Sequence, residues 1–398
     1  MGTRISRVKD STSRHISYLP LKSKNTLSQN SYFKNPYSFL LTKVLTFTAM
    51  NFTDELIQWY LQNKRDLPWR NTTDAYVIWL SEIILQQTRV EQGLPYFYRF
   101  VEKYPNVSSF AAAREDEVLK LWQGLGYYSR GRNMLKTAKQ VQEQYHGIFP
   151  QRYDELIKLK GIGEYTASAI SSFSANEAKA VVDGNVYRVL ARYFGIDEPI
   201  NSTGGKKTFQ ELANNLINKK NPGLHNQAMM EFGAMLCKPK NPACGICPVH
   251  LDCFAFINNA TTTLPVKLKT VKVRERFFNY FLVTDKDSVL MNKRGDKDIW
   301  ANLYDLPMVE TASLLPLPEL MDHSAVKEIF GNDIKISADN LPLQKHILTH
   351  QRLYIRLIKI ESKPIKLDSN WFYTRVQNLP NLAFPKPVVI LIKNIFNL

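Results

Sequence analysis

Four cysteines, Cys237, Cys244, Cys247 and Cys253, fall within 17 residues in the spacing C-x6-C-x2-C-x5-C, and the chain has no others. Four thiolates in one short loop can hold a zinc ion or a four-iron cluster, and the spacing alone does not choose between them. A secreted scaffold would instead spread its cysteines to tie distant loops together. A second pattern is Leu159-Lys160-Gly161-Ile162-Gly163-Glu164-Tyr165. Two glycines one residue apart let the backbone approach a ligand closely, and the helix that follows offers N–H groups to an anion. That arrangement grips a DNA phosphate without reading sequence, although any tight turn between helices can use glycine. Two acids add to these. Asp183, in VVDGNV, suits either a helix cap or a carboxylate held near a developing cation. Glu82, in WLSEIILQQTRV, suits a solvated helix face when read alone, and neither acid by itself marks a catalytic site.

The elements that must position these residues are mostly helical. Val77, Leu80, Ile83 and Ile84 predict a helix over 74–91, with Glu82, Gln86 and Arg89 sharing a polar stripe. Further helices are expected over 116–122, 132–144, 153–159, 165–173, 186–194, 208–218 and 225–236, with glycine or proline in several gaps. No convincing strand interrupts residues 50–256. Residues 257–274 are polar, rich in Thr and Lys, and read as a linker. Short β-like runs at 277–284 and 289–292 then flank a turn-forming DKDS, and 347–360 and 388–396 mix strand and helix signals. Residues 275–398 are therefore expected to form a separate α+β domain.

Length and charge set the frame. A chain of 398 residues has room for two or three domains and needs no disulfide framework. Its net charge of +16 suits a polyanionic partner, yet residues 1–49 alone hold eight basic residues and one acid. That segment reads as a basic tail: a targeting extension, or an upstream start read in error with Met50 as the true one, the latter being favoured. No apolar run reaches the ~20 residues of a membrane span, so no membrane partner is expected.

Taken together, LPWR (67–70), WLSEIILQQTRV (79–90), GLGYYSRGRN (124–133), LKGIGEYTA (159–167), VVDGNVYRVLAR (181–192), NQAMMEFGAMLC (226–237) and the four cysteines resemble the helix–hairpin–helix DNA glycosylases of the endonuclease III superfamily, and most nearly the MutY-type adenine glycosylases. The resemblance implies a mostly α catalytic domain over 50–256 with an iron–sulfur loop, a [4Fe-4S] cluster on Cys237, Cys244, Cys247 and Cys253, and a target base flipped into a pocket. It implies that Glu82 protonates the adenine ring, that Asp183 stabilises the sugar oxocarbenium, and that Asn185 positions water or Asp183. Tyr165 stands where bifunctional relatives carry a lysine nucleophile, which implies base removal without an efficient lyase step. Trp69, Arg70 and Gln227 match the adenine pocket, with Gln227 where the family often has Glu. Gln87 and Tyr127 match residues that enter the DNA stack, and Gly161 and Gly163 match the phosphate-gripping hairpin.

The segment VLMNKRGDKDIWANLYDLPMVE (289–310) resembles the Nudix-like recognition domain of the same family. It lacks the glutamate-rich helix that holds magnesium, so no pyrophosphatase activity is expected. Leu348-Thr349-His350 falls where the family often has Phe-Ser-His, which implies that Thr349 and His350 read 8-oxoguanine. The implied partner is double-stranded DNA with A·8-oxoguanine or A·G mispairs, acted on by a monomer. The expected location is cytoplasmic, at a bacterial nucleoid, or mitochondrial or nuclear should residues 1–49 be a targeting segment. Other readings are a thymine glycosylase acting on T·G mismatches, a non-catalytic iron–sulfur DNA-binding module, and a zinc-stabilised regulator.

Overall fold

The structure is a computed structural model that describes residues 51–268, 273–337 and 342–397. The basic tail over 1–49, and the question of its start, lie outside the described residues. Helix α1 (51–63) leads into a single 3-10 turn at Pro68–Arg70. There follow α2 (Ala75–Ile84), α3 (Val90–Lys103), α4 (Val107–Ala111), α5 (Glu115–Trp122), α6 (Ser129–Tyr145), α7 (Tyr153–Leu156), α8 (Glu164–Ser174), α9 (Gly184–Phe194), α10 (Thr203–Leu216), α11 (Pro222–Met235) and α12 (Phe254–Ile257). Among the described residues no strand falls in this region.

Two apolar cores organise the helices. One, centred on Trp79, Phe100, Phe110 and Trp122, joins α2 through α8. The other, with Phe52, Leu56, Val189, Phe209 and Phe232, joins α1, α9, α10 and α11 and takes in the cysteine loop. The chain therefore leaves the second core after α1, builds the first, and returns through α9.

The expected helix over 74–91 is two helices. α2 ends at Ile84, Gln87 takes a left-handed φ of 54°, and Arg89 begins α3. Gln86 and Arg89 therefore do not share a helical stripe with Glu82. The apolar spacing runs on through Leu85 and Val90, but the carbonyls of Ile83, Ile84 and Gln86 are taken by the Arg130 guanidinium instead of by later N–H groups. α3 was not expected, although its apolar period is strong; Pro95 inside it argues against a helix. The other expected helices are present with ends shifted by up to five residues, the start of α10 at Thr203 being the largest shift.

The expected linker is only partly a tether. Leu264 is buried in the second core. Arg192 Nε donates to the Leu264 carbonyl at 3.1 Å, and Ile200 N donates to Val266 O at 3.0 Å. Polar composition hid these backbone contacts; residues 269–272 lie outside the described residues.

The C-terminal part is a mixed sheet. Strands β1 (Arg274–Asp285), β2 (Ser288–Lys293), β3 (Tyr304–Asp305), β4 (Met308–Thr311), β5 (Gln344–Ile347), β6 (Gln351–Ile360) and β7 (Trp371–Arg375) run in the order β3-β2-β1-β6-β5, with β4 also on β1 and β7 on β2. β1 and β6 pair in parallel from Arg274↔Gln351 to Val283↔Ile360, and the other strand pairs are antiparallel. Side chains alternate across the sheet. Phe278, Tyr280 and Leu282 face α15 (Lys386–Phe396), while Phe281 and Val283 face α13 (Leu317–Met321) and α14 (Ser324–Phe330). The ambiguous segments thus resolve as a β5–β6 hairpin and a helix. Glu310, the acid that follows the Leu-Pro turn, is held by Arg276 at 2.6 Å.

The sheet part docks directly on the helices. Lys293 pairs with Asp116 at 3.0 Å, Lys120 Nζ donates to Leu382 O at 2.9 Å, and Tyr128 Oη donates to Phe384 O at 3.1 Å.

Candidate active site

A cleft of about 800 Å³ opens where the two helical cores meet. The α2 side contributes Glu82, and the turn after α2 contributes Gln86 and Gln87. The 3-10 turn contributes Trp69 and Arg70, α8 contributes Tyr165, α9 contributes Asp183, Gly184, Asn185 and Arg188, and α11 contributes Gln227, Met230 and Glu231. The topology brings together the two acids that stand 101 positions apart in the chain.

Glu82 is 8% exposed, not a solvated helix-face residue. Tyr165 Oη donates to its Oε2 at 2.8 Å. Burial lifts the Glu82 carboxyl to about 7; the tyrosine hydrogen bond and Arg70 pull it down, while the Asp183 charge pushes it up. Such a group is protonated about half the time at neutral pH and can deliver a proton. Burial and the two nearby carboxylates push the Tyr165 phenol well above its ordinary value, so it stays a neutral donor.

Asp183 caps α9. Its Oδ1 accepts from the backbone N–H of Asn185 at 2.9 Å and of Val186 at 2.8 Å, and its Oδ2 accepts from Asn185 Nδ2 at 2.8 Å. The cap reading of Asp183 thus holds, and the cap fixes the carboxylate at the cleft. Burial raises it, and the three hydrogen bonds and Arg188 oppose that rise. Arg188 Nη2 donates to Asn185 Oδ1 at 2.9 Å and to Gly233 O at 2.7 Å, which aims the Asn185 amide at Asp183.

Across the cleft, Glu231 is 1% exposed and holds two arginines. Arg65 binds it through Nε at 2.8 Å and Nη2 at 2.7 Å, and Arg70 through Nη2 at 2.7 Å. These guanidinium groups outweigh burial and hold the Glu231 carboxyl near 2. Tyr60 Oη donates to Gln227 Oε1 at 2.7 Å, orienting that amide. Trp69 is largely buried, its ring edge-on to Phe97 with 5.1 Å between centroids. Glu231, Arg65, Arg188 and Tyr60 were not singled out from sequence. Glu231 lies one helical turn beyond Gln227 and Arg188 one beyond Asn185, so helical spacing from those chosen residues would have found these two.

No lysine is among the described residues lining the cleft. Lys160 sits on the hairpin, where its N–H donates to Gln140 Oε1 at 3.0 Å and its carbonyl accepts from Thr137. In that hairpin Gly161 has φ 79°, and a Cβ there would meet Asn133 Cβ at 2.9 Å. Gly163 begins α8 with nothing within 4 Å of a would-be Cβ and no side-chain cap, so the helix start faces open space. Gly161 and Gly163 are exposed while Ile162 anchors the turn in the core.

Gln87 and Tyr127 are both exposed, and Tyr127, at 48%, is not a core aromatic. Only Gln87 of the two lines the cleft. Tyr127 instead meets the β5–β6 turn, where its hydroxyl lies 2.5 Å from Thr349 Oγ1. Thr349 and His350 are exposed at that turn, while Leu348 is half-buried against the sheet core. The candidate residues thus fall into a cleft group and a group on the exposed surface.

Cys237, Cys244, Cys247 and Cys253 line one apolar cavity with Arg192 and Phe232. All four are free thiols. Among the described residues, no three His, Cys, Asp or Glu side chains converge closely enough for a single metal ion. Burial and the neighbouring thiols push Cys247 up to about 12. As thiolates, four side chains around one apolar cavity would need a cationic centre between them, and that donor set fits an iron–sulfur group. Arg192 braces the loop through Nη1 to Lys238 O at 2.8 Å and Cys237 Sγ at 3.4 Å.

Residues 80–216 match the HhH-GPD superfamily base excision DNA repair protein model, and residues 279–394 match the NUDIX domain model. The adenine DNA glycosylase of Buchnera aphidicola (subspecies Baizongia pistaciae) is 34% identical over 354 residues, 87% of this chain and 97% of that protein. The chain belongs to the adenine DNA glycosylase family. A mouse member is 42% identical over 231 residues, covering 56% of this chain and 44% of the mouse protein. Among solved structures, a thermostable thymine-DNA glycosylase matches with a TM-score of 0.50 at 27% identity, over 54% of this chain and 99% of its own. Family membership makes the protein a DNA N-glycosylase, with the endonuclease III-like helical fold and a Nudix-like α+β part. Among the described residues no helix is long and apolar enough to cross a membrane.

Proposed function

We propose that this protein hydrolyses the N-glycosidic bond of adenine mispaired with 8-oxoguanine or guanine in double-stranded DNA, and that it leaves the sugar–phosphate backbone uncut. The observation that carries this reading is the pairing of Glu82, near pH 7 and bonded to Tyr165, with the capped Asp183 in one cleft. An extruded adenine enters between Glu82 and the Trp69–Arg70 turn, with Gln227 beside it. Protonated Glu82 gives its proton to the adenine ring and makes the base a neutral leaving group. The C1′–N bond breaks, and the Asp183 carboxylate, held by Asn185, stabilises the sugar cation until water adds at C1′. Two carboxylates serving one glycosidic bond is the same logic sugar hydrolases use.

Tyr165 supports the absence of a lyase step, because a phenol forms no Schiff base with the sugar. Gly161, Gly163 and the start of α8 suit a backbone phosphate. Gln87 and Tyr127 enter the stack, and Thr349 and His350 read the base opposite adenine from the β5–β6 turn. Residues 50–256 thus form the catalytic domain and 275–398 the lesion reader. Cys237, Cys244, Cys247 and Cys253 hold a [4Fe-4S] cluster whose positive core offsets the four thiolates and folds the loop. The 34% identical adenine glycosylase extends over the sheet part, which lies beyond the length of the thymine glycosylase match, and this favours adenine over thymine.

The test is base release from short duplexes that hold one A·8-oxoguanine, A·G, T·G or C·8-oxoguanine pair, read with and without alkali. Adenine loss opposite 8-oxoguanine, with strand breaks only after alkali, is expected. Thymine release would move the activity to the mismatch reading, and no release from a folded brown protein would leave a binding module.

A further inference from the structure

Arg130, the second residue of α6, serves two separate chain segments. Its Nη1 donates to the carbonyls of Ile83 at 2.9 Å, Ile84 at 3.3 Å and Gln86 at 2.5 Å, and its Nη2 donates to Gly126 O at 3.3 Å. The carbonyls of Ile83 and Ile84 are the last of α2, where a cation is favoured by the helix dipole. The guanidinium also lies over the Trp122 ring at 5.0 Å and the Tyr127 ring at 5.7 Å. Burial draws its pKa to about 10, which leaves it charged at neutral pH.

Two of those carbonyls have a special place. Gln86 O immediately precedes Gln87, and Gly126 O immediately precedes Tyr127. Gln87 and Tyr127 are non-glycine residues at left-handed φ of 54° and 47°. Such backbones persist only where their surroundings over-determine them. Gly126 O also accepts from Trp122 Nε1 at 2.9 Å, and Gln86 O from Thr88 Oγ1 at 3.2 Å, but those donors each serve one carbonyl. We propose that Arg130 is a positioning residue for base extrusion: among the described residues its guanidinium alone links the carbonyls of Gln86 and Gly126, and so couples the backbone of both side chains that enter the DNA stack. This rests on the reading above that Gln87 and Tyr127 do enter it. The planar fork is what makes the bridge. A lysine keeps the charge at the end of α2 but, as a single point donor, cannot reach both segments.

The experiment uses the full chain with Arg130→Lys, and Arg130→Gln should the lysine variant fail to fold by circular dichroism. Duplex affinity is measured first, and two further quantities are then read. One is the single-turnover rate of adenine release opposite 8-oxoguanine. The other is the fluorescence rise when 2-aminopurine, in place of adenine, is extruded by each variant in a Glu82→Gln background that blocks cleavage. The expected result is duplex affinity within about threefold of the parent, a release rate at least about tenfold lower, and a fluorescence rise reduced severalfold. Combination with Gln87→Ala or Tyr127→Ala should then cost less than the product of the single effects. A slower release with the fluorescence rise intact would overturn the proposal, because Arg130 would then act through the Glu82 helix alone; unchanged release and fluorescence would overturn it as well. Gln87→Ala and Tyr127→Ala that leave the fluorescence intact would overturn the stack-entering reading, and the proposal with it. If those two variants lose the signal while Arg130→Lys keeps it, only the proposal fails.

Discussion

The Tyr165 hydroxyl donates a 2.8 Å hydrogen bond to Glu82, and so pulls the carboxyl down against the burial that lifts it to about 7. The tyrosine at this position is thus more than a missing lysine. It helps set how acidic the Glu82 carboxyl is. Removing the hydroxyl with Tyr165→Phe leaves burial less opposed and raises Glu82 further. In the proposed mechanism the protonated acid is the active form, so the alkaline limb of the rate profile should move to higher pH, by about half a unit to one unit. Single-turnover rates between pH 6 and 9 would show it, and an unmoved limb would mean that the hydroxyl does not act on Glu82.

Replacing the same residue by Tyr165→Lys puts an amine beside both carboxylates. That variant should give a borohydride-trapped protein–DNA adduct and strand cleavage without alkali, while the parent gives neither. A parent chain that traps as well as the variant would place a nucleophile somewhere other than residue 165.

Glu82→Gln should abolish base release while stabilising the fold. The folded carboxyl titrates near 7 and the unfolded one near 4.5. Between those values the folded state binds more protons, so stability falls as pH rises through the window and the penalty is complete above it. A neutral amide escapes that penalty. At pH 8 the variant should be more stable by an amount on the order of 1–3 kcal/mol, and the gain should vanish below about pH 4.5. Urea unfolding at pH 8 and pH 4 checks the sign.

Asp183 has two duties that can be separated. Asp183→Asn keeps an oxygen that can cap α9 but loses the charge, so release should slow by a factor of about a hundred or more with little loss of stability. Asp183→Ala should add a loss of about 1 kcal/mol from the uncapped helix. Equal melting temperatures for the two variants would argue against the capping role.

At the opposite wall of the cleft, Glu231→Gln strips the carboxylate from Arg65 and Arg70. Its folded value near 2 lies below the ordinary one near 4.5, so its contribution is full above pH 4.5 and is lost as pH falls through 2. The variant should lose about 3 kcal/mol at pH 7, and the difference from the parent should shrink on acidification. Adenine release should fall as well, since Arg70 loses the partner that holds it at the pocket.

Much of this was legible in the chain. The helical character of the first part and the strands at the start of the second came from periodicity, whereas the two acids stood out only through the resemblance of the motifs around them. What was hidden had a common cause. Glu82 looked like a solvated residue because burial depends on α8 and α9, which arrive much later in the sequence. The break after Ile84 is made by a side chain from α6, and no local propensity marks it. The packed half of the 257–274 segment is held by backbone carbonyls, to which composition is blind. Glu231 sat inside a quoted motif, but its importance comes from two arginines near the start of the domain, 161 and 166 positions away.

The 2.5 Å contact between Tyr127 and Thr349 pairs each hydroxyl with the other, across the helical and sheet parts. On the proposed reading, a base presented between them has to displace that bond. A base that offers matching polar atoms makes the exchange nearly even, whereas one that offers none leaves the two exposed hydroxyls to water. In that reading the contact is a competitor with which every presented base must trade before any adenine is moved.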